Sequence, residues 1–416
     1  MAGQHRIGHL GFTALIAAIT VGCGGSDGDT DTTATTSTTT PGATSDLPTT
    51  TETTEGPSTD SSDSETTEGP TTETTETETT ETTETTETTE TTETTETTET
   101  TETTEGTDTS QDDCLVDGHY FPDGSIWYED ISAWPLDAES QAVTTWLNGE
   151  GWGTGEMRID YSIEVLQADD TTPFISFEPT GDFYSPDCDH TDVPVPASGQ
   201  LEGEEGYECT SDGDCHLIVV HPSTCQLFEM WRANIVDDEF YGGCMAVWEM
   251  DRVYGPKGRG EQCTSADAAG YPIAPLLFTA DEVAAGEIDH AIRFILPNAR
   301  IRDGEYVHPA THGTPATSGP PQAPPYGARL RLRADFPLDT LPNDGARTVA
   351  IAMQTYGILL ADGGNIALTA QSDRYTTNKW EGLLGTFDLA SITPGDFEMV
   401  DGGPRIELTL DCVREP

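Results

Sequence analysis

The chain has 416 residues, with 17 Lys+Arg against 75 Asp+Glu and a formal net charge of −58. So few cations cannot neutralise a phosphate backbone, which excludes a nucleic-acid partner, and they offer no basic patch for an anionic membrane. Nine cysteines in so acidic a chain fit an exported protein better than a cytosolic one.

The first 23 residues read as an export signal. Arg6 lies at the start, followed by an apolar run from Ile7 to Val21 that is too short and too weakly flanked to span a membrane. The run ends in Thr20-Val21-Gly22-Cys23, followed by Gly24-Gly25-Ser26. This resembles the lipobox of bacterial lipoproteins, in which a small residue precedes a cysteine that receives diacylglycerol. Thr20 stands where that pattern has an aliphatic residue. The resemblance implies that Cys23 is the mature N-terminus and the lipid anchor that joins the protein to a membrane. Gly24 in the next position favours the outer membrane, and so the surface of a Gram-negative bacterium.

Residues 24–112 read as a disordered linker. Residues 1–112 hold 24 of the acids and one base, Arg6, and from Glu78 to Glu105 Glu-Thr-Thr repeats with strict period three. No aromatic residue occurs in 24–112 and Leu47 is the only large aliphatic one, so too little apolar area exists to offset ordering entropy. Like charge at every third residue extends the chain, whose reach is roughly 300 Å at about 3.4 Å per residue. The composition also resembles a mucin-like stalk with Thr open to O-glycosylation. Asp27, Asp29 and Asp31 lack the glycine and terminal Glu of an EF-hand, so calcium remains a weak candidate and no cofactor is expected.

Residues 113–416 carry the other 51 acids and 16 bases, a net of −35, together with all 7 tryptophans. They are expected to form one disulfide-braced extracellular domain. Strand-like alternation runs through Arg158–Leu166, His216–His221, Cys225–Trp231, Met245–Met250, His290–Leu296 and Ala328–Ala334. Gly, Pro, Asp or Cys bounds each of these runs, as is usual for short antiparallel strands. Helices are few: Asp137–Leu147, short turns at Ser265–Ala269 and Asp281–Ala285, and Asp344–Tyr356 running into Gly357-Ile-Leu-Leu-Ala. The expected class is mainly β, a β-sandwich or jelly-roll-like domain with a few short helices. With Cys23 lipidated, Cys114, Cys188, Cys209, Cys215, Cys225, Cys244, Cys263 and Cys412 remain, an even set that suits four disulfides in any of 105 connectivities. Cys114 and Cys412 stand at the two ends, which suggests closure near the termini. Absence of Cys-x-x-Cys disfavours zinc.

Several segments form a recognisable string: His216-Leu-Ile-Val-Val, Cys225-Gln-Leu-Phe-Glu, Thr264–Ile273, Asp281–Phe294, Tyr326–Leu332 and Tyr356–Gly364. Over roughly residues 125–402 this resembles a group of uncharacterised secreted bacterial proteins, which implies an exported self-contained domain and no particular activity. Cys209-Thr-Ser-Asp-Gly-Asp-Cys215 resembles the disulfide loops of myxobacterial surface proteins.

The chemistry-bearing patterns are sparse. Glu249-Met-Asp251 matches only the first half of a laminarinase-type Glu-x-Asp-x-x-Glu strand, because Tyr254 occupies the last position and the two-carboxylate mechanism needs that acid. His308 and His312 have a zinc-like offset but lie among prolines, and His216 and His221 face opposite sides of a strand. A scattered set of Glu229, Asp267, Glu282 and Asp362 with His290 and His312 is the candidate acid–base site. Within it Glu229, His290 and His312 are the catalytic candidates, Glu229 because it faces away from Phe228 and Met230 and would titrate high in a cleft. Asp267 also suits a helix N-terminus, and Asp362-Gly-Gly-Asn a turn. No nucleotide-binding glycine loop, nucleophile elbow or His-Glu-x-x-His occurs, so no nucleotide partner is expected. The reading is a cell-surface lipoprotein that displays a domain binding an extracellular glycan, first of all a neutral polysaccharide, through aromatic platforms. Its rival is a secreted carbohydrate-active hydrolase or lyase using carboxylate and histidine acid–base chemistry. The charge disfavours polyanionic glycans unless calcium bridges them, leaving neutral or cationic ones.

Overall fold

Alternation of side chains in this sequence translates into ten principal strands. β1 is Ile159–Ile163, β2 Leu166–Gln167, β3 Leu217–His221, β4 Gln226–Trp231, β5 Cys244–Glu249, β6 Ile292–Leu296, β7 Arg329–Leu332, β8 Ile358–Gly363, β9 Leu368–Gln371 and β10 Phe397–Met399. The computed structural model describes residues 114–415 apart from 116, 117 and 212. The signal segment, Cys23, the acidic triplet at Asp27–Asp31 and the linker 24–112 lie outside the described residues. The domain is mainly β with few short helices.

The strands form a six-stranded sheet in the order β1-β9-β6-β8-β7-β10 and a four-stranded sheet in the order β5-β4-β3-β2. Shorter strands pair off in small sheets around them. The antiparallel expectation holds for β3 with β4, β4 with β5, and β7 with both its neighbours. It fails where β1 meets β9, β6 meets β8 and β2 meets β3, all of which are parallel. The chain between β6 and β8 is long and includes a helix, the kind of crossover that a parallel pair requires.

Leu217-Ile-Val-Val is apolar at every position because the four-stranded sheet is buried on both faces. Ile218, Val220, Leu227, Ala246 and Trp248 join the main core with Phe294, Leu330 and Leu360 of the larger sheet. Leu217, Val219, Phe228, Met230 and Met245 join a second core with Val193, Leu201 and Phe240.

Among the described residues three α-helices lie beside the sheets: α1 Ser140–Glu150, α2 Ala280–Ala285 and α3 Asp344–Thr355. α1 begins three residues later than expected because Asp137 is held in a turn, its carboxylate accepting from Glu139 N at 2.8 Å. In α2 Thr279 and Glu282 form a reciprocal capping box, and Gly286 (φ 85°) ends the helix. Asn343 caps α3 through Ala346 N at 2.8 Å. Ser265–Ala269 forms a turn and no helix. Ser265 Oγ donates to Tyr271 O at 2.6 Å, while Ala269 N is drawn to Ala361 O of β8 at 2.9 Å, so the groups a helix would pair are committed elsewhere.

All eight cysteines of the domain are paired, as Cys114–Cys225, Cys188–Cys244, Cys209–Cys215 and Cys263–Cys412. The two ends are therefore each tied to the body and not to one another. Among the described residues no helix is long and apolar enough to cross a membrane.

Candidate functional site

Sheet register assembles a charged network from three adjacent strands. Arg293 on β6 stands beside Thr369 on β9, and a register shift between Phe294 and Ile295 sets Asp362 of β8 opposite Ile295. Side chains two apart share a face, so Arg293, Thr369 and Asp362 meet. Arg293 is buried; its Nε and Nη2 donate to Asp267 Oδ2 and Oδ1 at 2.9 and 3.0 Å. Nη1 reaches Thr369 Oγ1 at 3.1 Å, and Nη2 reaches Asp362 Oδ2 at 3.4 Å. Asp267, fully buried, takes the bidentate fork, and Asp362 has one long contact with Arg293 and accepts from Gly363 N at 2.6 Å. Burial, then the negative charge of Asp267, pushes Asp362 up to about 7 against the pull of Arg293. Two carboxylates that share one cation cannot both ionise freely.

Asp362 opens onto a cavity of about 580 Å³. Its aromatic wall comes from Phe183, Tyr184 and Trp231, its acids are Asp187, Asp214 and Asp362, and His312, Asn298 and the hydroxyls of Ser185, Thr264, Ser265 and Thr314 add to the polar lining. Tyr184 is about half exposed at 52 %. Trp231 Nε1 donates to Asp214 Oδ1 at 2.5 Å, which fixes the ring, and Arg232 covers the ring at 4.7 Å from its centroid while paired with Asp182. Asn298 sits over Gly363: a Cβ there would stand 2.6 Å from Asn298 Oδ1, so only glycine lets the amide approach the chain beside Asp362. The Cys188–Cys244 disulfide holds the loop that carries Tyr184 and Asp187, and Cys263–Cys412 holds the segment that brings Leu410 to the rim. Two other hollows, of about 470 and 490 Å³, are lined by Tyr161 with Trp380 and by Tyr161 with Glu164, and neither gathers an exposed aromatic.

The catalytic candidates separate. Glu229 does face away from Phe228 and Met230, but into the main core, where it is fully buried. Its carboxylate accepts from Ile273 N and Ala274 N at 2.8 Å and from Trp248 Nε1 at 3.1 Å, tying β4 to the following 3₁₀ turn. Burial pushes it up to about 7, and the three donors oppose this. It is an internal brace that does not line the cavity. His290 is buried, with Nε2 3.1 Å from Glu282 Oε1 and Nδ1 2.8 Å from Ala291 O. Burial favours neutral imidazole there, but Glu282 outweighs it and raises the pKa. Of the three, His312 alone lines the cavity; its Nδ1 donates to Ala268 O at 2.9 Å, and burial holds it below its ordinary value.

The remaining patterns resolve similarly. Asp267 is an ion-pair partner, and Asp362 closes a strand at the cavity wall. His308 pairs with Glu261 at 2.8 Å and His216 with Glu202 at 2.6 Å. Tyr254 Oη accepts from Glu249 N at 3.1 Å at the sheet edge, away from any paired-acid cleft. Glu204, Cys209 and Cys215 lie close enough to share an ion, but the two sulfurs are joined, and Glu204 already accepts from Thr210 N and Ser211 N at 2.9 and 3.0 Å. Sequence reading missed Tyr184, Asp187, Asp214, Trp231 and Asn298; only the high aromatic and acid content around Cys188 and Cys209 hinted at them.

Fold and site together define a disulfide-braced, mainly β domain whose described residues enclose an aromatic and acidic cavity. No protein-family model matches the chain, and neither a curated protein nor a solved structure is similar to it.

Proposed function

We propose that the protein is a lipoprotein displayed at the cell surface, anchored through Cys23, with residues 24–112 as tether and the β-rich domain binding an extracellular glycan in the Tyr184–Trp231 cavity. The observation that carries this reading is the convergence of a half-exposed tyrosine and a fixed indole with three carboxylates on one concavity. Aromatic faces stack on the apolar faces of sugar rings, and the acids accept their hydroxyls. The lipobox resemblance and the Glu-Thr-Thr linker support display away from the membrane. The test is retention of the full chain on immobilised polysaccharides, with Tyr184→Ala and Trp231→Ala both weakening it. Mass spectrometry of the mature N-terminus is expected to find a diacylated Cys23; an unmodified terminus elsewhere removes the anchor from the proposal.

A second reading, a glycan-cleaving enzyme, is favoured by Asp362 alone, a carboxyl raised to about 7 in the same wall as His312. Release of new reducing ends that Asp362→Asn abolishes would select it over pure binding.

A further inference from the structure

The charged groups that line the cavity are all acidic, beside the hydroxyls of Ser185, Thr264, Ser265 and Thr314. Asp187, Asp214 and Asp362 bring negative charge, and neither Lys nor Arg is among the lining side chains. His312 donates through Nδ1 to Ala268, which leaves Nε2 as an acceptor. Arg293 touches Asp362 from behind the wall, where Asp267 already holds it by two bonds, and Arg232 is paired with Asp182. A neutral sugar brings hydroxyls but no charge to set against these carboxylates. An ammonium group presents three donors and a positive charge, and the aromatic side chains favour a cation over their faces.

Resting on the glycan-binding reading, we infer that the ligand carries a protonated amine, and that Asp214 and Asp362 form the ammonium subsite of the cavity. The substrate class is therefore an amino sugar with a free amine, in preference to its N-acylated or plain counterpart. The domain's strong negative charge draws such a ligand towards the cavity.

The experiment is calorimetric titration of the full, disulfide-intact chain with a glucosamine hexamer, its N-acetylated counterpart and a glucose hexamer. A charge-assisted contact predicts that the free amine binds roughly tenfold tighter or more than either comparison sugar. Because the acidic linker itself attracts polycations, the decisive arm is substitution. Asp362→Asn and the exposed Asp214→Asn, which keeps an acceptor for Trp231 Nε1, are each expected to weaken the glucosamine hexamer several-fold more than the glucose hexamer. Circular dichroism and intact disulfides confirm folding of both variants. Equal affinities for the three sugars would overturn the inference and leave glycan binding standing. Amine binding unchanged in both variants would also overturn it, and binding of none of the sugars would overturn both readings.

Discussion

Arg293→Met tests the network behind the cavity most directly. The substitution keeps volume and removes the side chain that forks onto Asp267, which is fully buried. Breaking a buried pair by removing one partner costs about 3–5 kcal/mol, since the other charge is left uncompensated. In a domain of this size that corresponds to a melting shift of roughly 6–10 °C. Urea unfolding at pH 7 with disulfides intact measures it. Two further outcomes follow from the same reasoning. Arg293→Met/Asp267→Asn is expected to be more stable than Arg293→Met alone, because it removes the stranded charge; the recovery should be about 1–3 kcal/mol. The penalty of the single variant should also shrink between pH 7 and pH 5, as the stranded carboxyl takes up a proton. A loss below about 1 kcal/mol, or a double variant as costly as the sum of its parts, would refute an energetically coupled buried pair.

Three other expectations concern pH and the disulfides. Glu229 is raised from 4.5 to about 7 in the fold, so its stabilising contribution is full below pH 4.5 and lost as pH rises through 7, a swing of about 3 kcal/mol; Glu229→Gln should flatten the urea midpoint between pH 5 and 8, and parallel profiles would contradict this. Removing the Cys188–Cys244 bridge, separated by 56 residues, should cost roughly 4 kcal/mol and loosen the cavity rim, against roughly 2 kcal/mol for Cys209–Cys215, separated by 6. Denaturation and glycan titration on the two double-serine variants would show whether affinity falls only in the first. Finally, Asp362 sits among Arg293, Asp267, His216 and Tyr326, and its value of about 7 means that affinity for an ammonium ligand should rise as pH climbs towards 7, and fall above it as the sugar amine, far less basic than a lysine, loses its proton. Asp362→Asn should remove that rise.

The strands were legible because burial on one face or two leaves a pattern within six residues. The Leu217–His221 and Gln226–Trp231 runs announce themselves, as does the short helix at Asp281–Ala285. What lies on the far side of a strand is not a local property. Glu229 faces opposite its apolar neighbours in any strand, yet whether it meets solvent, a cleft or the main core depends on Ile273 and Ala274, more than forty residues on. Asp267 reads equally as a helix N-terminal residue until β6 supplies Arg293. The cavity is less legible still: Tyr184, Trp231, Asn298 and Asp362 come together only through sheet order and two disulfides, and no spacing between them recurs in the chain.

The excess of acid and the chemistry of the cavity have one origin. Of the few cations available, Arg259, Arg293, Arg302, Arg329 and Arg331 are buried. Arg329 serves backbone carbonyls of Ile126, Glu129 and Tyr356, and Arg331 joins Glu398 to the carbonyls of Ile131, Ser132 and Trp134. Arg302 and Arg405 share Glu139, while Arg259 and Arg414 share Asp189. The guanidinium groups are thus committed to holding loops against the sheets, where each satisfies several acceptors at once. Few are left to neutralise the surface, and the cavity acids lack an arginine among the side chains that line the space they enclose. A fold that uses its cations in this way leaves the charged groups of the cavity all acidic, so on the proposed reading the positive charge has to arrive on the ligand.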